Sequence, residues 1–157
     1  MKLRNLFAVI SLVASFMSGL LPASSVAQVN KDLPVIDLTI KAAKLKAEVA
    51  ADANSRTIGL MNRFSLKPDQ GMIFVFARSE PLGFWMRNTF VPLSIAYIDN
   101  KGVILNIVDM KPQDEASHPS SGPAMFALEM KQGWFKERGI IAGDKVNGLD
   151  KAGRAKN

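Results

Sequence analysis

The 157-residue chain contains no cysteine, one histidine and one tyrosine. The missing thiol excludes disulfide staples, a thiolate nucleophile, a cysteine metal site and a sulfur-linked lipid anchor. The single histidine, His118, leaves little material for acid–base chemistry. Long apolar runs are scarce as well. Residues 6–21 form an uncharged apolar run, and it is shorter than the roughly 20 residues that span a bilayer.

That run has a specific setting. Lys2 and Arg4 precede it, Pro22 follows it, and Ser25 and Ala27 place small residues where a signal peptidase reads. This order marks a secretory signal, so residues 1–27 are expected to be cleaved as a signal peptide; the alternative is an uncleaved anchor. The expected location is the periplasm or the medium, with no stable membrane insertion after cleavage. Removing Lys2 and Arg4 takes two from the formal charge of +6, leaving about +4. Residues 28–34 read as a linker and residues 149–157, with Lys151, Arg154 and Lys156, as a basic flexible tail. Residues 35–148 then form one domain, long enough to bury a core without staples. No basic stripe supports nucleic acid as a partner, no cofactor is implied, and a monomer is expected.

Within the domain the pattern is mostly that of strands. Residues 35–40 alternate, and residues 44–49 set Leu45, Ala47 and Val49 against Lys44, Lys46 and Glu48. Asp52 suits the N-cap of a short helix carrying Thr57, Leu60 and Met61. Residues 72–76 are apolar throughout, which predicts a strand buried on both faces. Residues 84–89 read as another strand. Residues 93–98 and 103–108 flank Asp99-Asn100-Lys101-Gly102, a hairpin turn with a left-handed glycine. Residues 111–123 hold three prolines and read as an exposed loop, followed by a strand over 124–130, a helical turn before Gly139 and a last short strand near 145–147. The fold class expected is mainly β (α+β), a barrel-like or sandwich domain with two short helices. The lack of a long crossover helix argues against parallel pairing.

Five segments add a resemblance: GLMNR (59–63), GMIFVF (71–76), FWMRNTFVPL (84–93), ALEM (127–130) and GIIAGDKV (139–146). Their order and spacing resemble the DUF192 family over nearly the whole mature chain. The resemblance implies a compact, mainly β domain, often exported, with no established activity. One position departs from it. The family usually carries an acid directly after the PL pair, where this chain has Ser94.

The segment FWMRNT poses the functional question. As a strand it would put Phe84, Met86 and Asn88 on one face and Trp85, Arg87 and Thr89 on the other. Asn88 either clamps the neighbouring loop or faces a ligand. Trp85 with Arg87 either stacks on a sugar, aromatic or peptide plane, or forms a cation–π pair at the rim. Arg56 and Arg63 either edge a cleft for a carboxylate or phosphate, or pair with Glu129 or Asp144. The candidate binding residues are thus Arg56, Met61, Arg63, Trp85, Arg87 and Asn88.

Three readings of function follow. The first is an exported, non-enzymatic module binding a small anionic molecule, a peptide or a glycan. The second is a metal-dependent or hydrolytic envelope enzyme, and the third a structural or accessory protein without a small-molecule site. The enzyme reading is thin, because His118 lies among Ser117, Ser120 and Ser121 in a loop that offers poor positioning. Methionine sulfur suits Cu(I), but Met61, Met72, Met86, Met110, Met125 and Met130 sit in apolar runs, where methionine fills gaps in the core.

Overall fold

The alternating segments pair as their patterns require. The computed structural model describes residues 28–156, so the expected signal peptide lies outside the described residues. Strands β1 (Val35–Ile40) and β2 (Ala43–Ala50) form an antiparallel hairpin with Leu38 opposite Leu45. Helix α1 (Ala53–Ile58) starts at Asp52, whose side chain accepts the Ser55 N–H at 2.9 Å. Ser55 Oγ accepts the Asp52 N–H in return at 3.2 Å. This reciprocal box satisfies donors that a helix start leaves unpaired. Then follow β3 (Gln70–Glu80), β4 (Gly83–Phe84), β5 (Leu93–Ile98), β6 (Ile104–Met110), β7 (His118–Pro119), β8 (Ala124–Lys131), α2 (Trp134–Glu137) and β9 (Val146–Asn147).

Among the described residues, seven strands form one curled half-barrel sheet in the order β6-β5-β8-β3-β2-β1-β9, and β4 pairs with β7 apart from it. The domain is mainly β with two short helices. The expectation against parallel pairing fails at one place, because β2 and β3 run parallel. Residues 51–69 connect them, only six of those residues being α-helical. Length, not helix content, sets the requirement: a dozen or so residues are enough to cross over.

Both faces of the sheet are buried. Leu45, Ile73, Val75, Ile98 and Leu128 pack under Trp134 and Phe135 of α2. Met72, Phe74, Ile95, Tyr97 and Ala127 pack under Leu60, under Leu82 from the β3–β4 connection and under Met86 and Val91 from the β4–β5 connection. This double cover explains the unbroken apolar run in β3. Met72, Met86 and Met110 are fully buried in the second cluster and Met130 in the first, where their flexible side chains fill the core. Gly71 opens the buried run because β3 and β8 lie so close there that a Cβ would collide with the Glu129 carbonyl oxygen and the Met130 sulfur.

Residues 84–89 do not continue as a strand. β4 ends at Phe84, and Asn88 sits in the left-handed region at φ 52°. The Thr89 N–H donates back to Met86 O at 3.0 Å. Exposure alternates from Phe84 to Arg87 and then reverses, leaving Asn88 exposed and Thr89 buried. The following loop is tied down at several points. Asp114 O accepts the Met86 N–H at 2.6 Å, and the buried Tyr97 hydroxyl donates to His118 O. At the chain's start, Asn30 is buried and its Nδ2 donates to Ser55 O at 2.8 Å and Gly59 O at 2.9 Å. Near the end, a 3-10 helix (Leu149–Ala152) buries Ala152, and the Lys156 N–H donates to Ala51 O at 2.7 Å.

Candidate functional site

The β2–β3 crossover carries α1 alongside the β4 segment, and a hollow opens between them. Arg56 and Thr57 of α1, Phe76 of β3 and Phe84 and Trp85 line a cleft of about 370 Å³. A narrower crevice of about 40 Å³ shares Arg56, Thr57, Phe84 and Trp85 and adds Met61, Phe74, Thr89 and Glu129.

The walls are well held. Arg56 Nη1 donates to Ala51 O at 2.7 Å and Val75 O at 3.1 Å, and the guanidinium lies 5.3 Å from the centre of the Phe76 ring. Its Nε and Nη2 make no hydrogen bond to a described residue, so part of the donor fork stays open. Phe84 packs edge-on to Phe74 at 4.8 Å and to Tyr97 at 5.9 Å between ring centres. Trp85 is 48% exposed, with the Arg87 guanidinium 5.7 Å from its ring.

Glu129 is the residue that sequence reasoning did not place in the site. It is 4% exposed and faces the crevice from the middle of β8, with Met72 and Ile95 as its cross-strand neighbours. Its carboxyl makes no hydrogen bond or ion pair with a described residue. Burial pushes its pKa from 4.5 up to about 8, so it is mostly neutral at pH 7. Burial also raises the nearby Tyr97 phenol, and the Glu129 charge adds to that. The available signal was an acid inside AMFALEM at a position that alternation puts in the core.

The six expected residues divide. Arg56, Met61 and Trp85 meet at the cleft, and Arg87 flanks it through Trp85. Arg63 lies elsewhere: its Nη1 and Nη2 reach the two Glu48 carboxylate oxygens at 2.5 and 2.7 Å, and Nη2 also donates to Asn30 O at 3.1 Å. The ion-pair alternative for Arg63 therefore names the wrong acid, since Asp144 pairs with Lys41 at 2.8 Å. Asn88 is also outside the cleft, and its carbonyl accepts the Asn62 N–H at 2.8 Å. That backbone contact ties it to the segment after α1, not to the neighbouring loop the clamp was expected to hold.

His118 is better ordered than a solvated loop would allow. Its Nδ1 lies 3.2 Å from Phe84 O and its Nε2 3.4 Å from Asp114 Oδ2. No hydroxyl hydrogen bonds to the ring among the described residues, so the pair braces the β4–β7 ribbon. Among those residues no group of three or more His, Cys, Asp or Glu side chains converges to hold a metal, and no helix is long and apolar enough to cross a membrane.

The pattern of DUF192, described as "Uncharacterized ACR", matches residues 36–148. The chain belongs to the DUF192 family. Two solved structures resemble this DUF192 domain. One is a proposed transcription regulator from Sinorhizobium meliloti 1021, 31% identical, covering 77% of this chain and 98% of its own, with a TM-score of 0.73. The other is a protein of unknown function from Novosphingobium aromaticivorans, 31% identical, covering 74% of this chain and 86% of its own, with a TM-score of 0.68. No curated protein matches the chain. The departure at Ser94 falls on the sheet face opposite the cleft. There Ser94 Oγ donates to Asp109 at 2.5 Å and accepts the Gly133 N–H at 3.0 Å, so it holds the turn into α2.

Proposed function

We propose that this DUF192 domain is an exported, non-enzymatic binding module that takes a small anion-bearing molecule, or a peptide or glycan segment, in the cleft between α1 and β4. The reading rests on one arrangement: a guanidinium pinned by two carbonyls, with donors to spare, shares a hollow with a half-exposed indole. A pre-positioned fork loses little entropy when it receives a carboxylate or phosphate. The aromatic wall offers a planar surface for stacking. A mostly neutral Glu129 does not repel the anion at pH 7. The enzyme alternative gains nothing from the cleft, since His118 is turned to the Phe84 carbonyl. The accessory alternative expects no ligand at all.

A thermal-shift screen of anionic metabolites, peptides and glycans separates these readings, because a ligand at 100 times its Kd adds about 2.7 kcal/mol of apparent stability. Trp85 is half-exposed, so Trp85→Ala should lower the melting curve of the free protein only modestly, and that curve reports that the variant is folded. It should weaken a true cleft ligand about tenfold, or about 1.4 kcal/mol. Hits that bind Trp85→Ala as well as wild type would place the binding elsewhere.

A further inference from the structure

Most charged side chains in the core's vicinity have partners. Arg63 has Glu48, Lys41 has Asp144 and Arg138 has Asp69. Among the described residues Glu129 has none, and an unpartnered buried polar group calls for an explanation. The structure also shows where its side chain leads, into the crevice of about 40 Å³ that opens on the cleft. That space suits about one small head group.

The walls indicate which head group. Phe74, Phe84 and Trp85 present aromatic surface, and Met61 adds a polarizable sulfur. Aromatic faces attract cations and repel anions. The charged and titratable groups around Glu129 make their contacts away from it, with Arg56 keeping Nε and Nη2 for the ligand's anion. Arg56 at the mouth is pinned to Ala51 O and Val75 O. The Tyr97 hydroxyl is committed to His118 O. Arg63 is held by Glu48, and Arg87 lies against Trp85. Among the described residues, none of these groups forms an ion pair with the Glu129 carboxyl, and burial alone raises its pKa.

We infer that the Glu129 crevice is a subsite for a primary ammonium group, carried by the same ligand whose anionic part Arg56 receives. The ligand class is then a zwitterionic amino compound. This rests on the cleft reading above and narrows it. The proton balance is explicit. Glu129 begins as the neutral acid, the ligand arrives as R–NH₃⁺, and the carboxyl proton passes to solvent as the carboxylate–ammonium pair forms. With burial holding Glu129 near 8, close to one proton is released per ligand at pH 7.

The test is isothermal titration with three probes, 6-aminohexanoate, hexylammonium and hexanoate, at pH 7 in two buffers of different ionisation enthalpy. 6-Aminohexanoate should bind tightest, and both amines should release close to one proton. Glu129→Gln keeps the shape and removes the charge, and its melting curve reports folding. It should weaken both amines at least tenfold and leave hexanoate unchanged. Amine binding without proton release, or binding unaffected by Glu129→Gln, overturns the ammonium subsite. If hexanoate alone binds and Trp85→Ala weakens it, the cleft reading survives and the ammonium subsite fails. If none of the three binds, the subsite is overturned, and the cleft itself is then decided by the Trp85→Ala comparison on hits from the wider screen.

Discussion

Replacing Arg63 with methionine should lower the stability of the domain by about 2–3 kcal/mol and leave the cleft intact. Arg63 and Glu48 are 17% and 25% exposed and meet through two short hydrogen bonds. Such a two-pronged pair is among the stronger polar contacts in a protein. Removing one partner of a fully buried pair costs about 3–5 kcal/mol, because the other charge is left uncompensated. Partial exposure of both side chains brings the expectation below that range. The pair is not ideal either, since Arg63 Nε is buried without a partner. Arg63 also holds the Asn30 carbonyl, so the substitution should loosen the segment before β1 as well. Urea midpoints for Arg63→Met, Glu48→Met and the double variant would show the coupling directly. The double variant should be less destabilised than the sum of the singles, because neither charge is then stranded. Arg87→Met is the control: Arg87 is exposed, and its loss should change stability by no more than about 0.5 kcal/mol. If Arg63→Met behaved like Arg87→Met, the Glu48 pair would not be what joins the α1 region to β2.

This contrast between two arginines shows what the sequence could and could not reveal. Strands β1 and β2 were legible because side-chain alternation is a local property, and β5 and β6 because the turn that joins them is. The Asp52 cap and the Gly102 turn were legible for the same reason, each depending on residues close in the chain. Arg56 and Arg63 are equivalent by that standard, both following the same cap in the same short segment. Their fates diverge through pairings distant in the chain. The parallel β2–β3 register puts Glu48 opposite Met72 and leaves its side chain free to meet Arg63. Alternation does not tell which strand neighbours which, so neither the parallel pair nor Glu48 as the partner could be read. The segment 84–89 misled for a different reason. Its apolar–polar alternation is real as far as Arg87, but Asn88 takes a left-handed turn that asparagine tolerates better than most residues. A strand and a strand-like approach to a turn look alike until that residue. Glu129 was named only as an ion-pair partner for Arg56 or Arg63, and it pairs with neither. Its lack of a partner needed the three-dimensional arrangement.

The lone acid also sets the pH dependence of the fold. Burial raises the Glu129 pKa from 4.5 to about 8. Between those values the folded chain holds a proton that the unfolded chain gives up. The unfolded state then binds fewer protons, so stability falls as pH rises. The slope approaches about 1.4 kcal/mol per pH unit within the window and fades above pH 8. Over the whole window the loss is on the order of 5 kcal/mol, large against the 5–15 kcal/mol typical of a domain. At the acid end other groups act in the opposite sense. Asp37 is held below its usual range by Lys46, Asp52 by the Ser55 hydrogen bonds and Asp144 by Lys41. Their contributions are present above about pH 4 and fade as they protonate. Stability should therefore peak near pH 5, not at neutral pH. Glu129→Gln isolates the descending limb, since an amide of the same shape does not titrate. Chemical denaturation of both proteins from pH 5 to pH 9 should show similar stability at pH 5 and a growing advantage for Glu129→Gln towards pH 8, reaching several kcal/mol. A constant difference between the two proteins across that range would mean that Glu129 titrates alike in the folded and unfolded chains. The carboxyl would then have found a partner or water in the crevice, and the ammonium subsite would lose its physical basis along with the pH dependence.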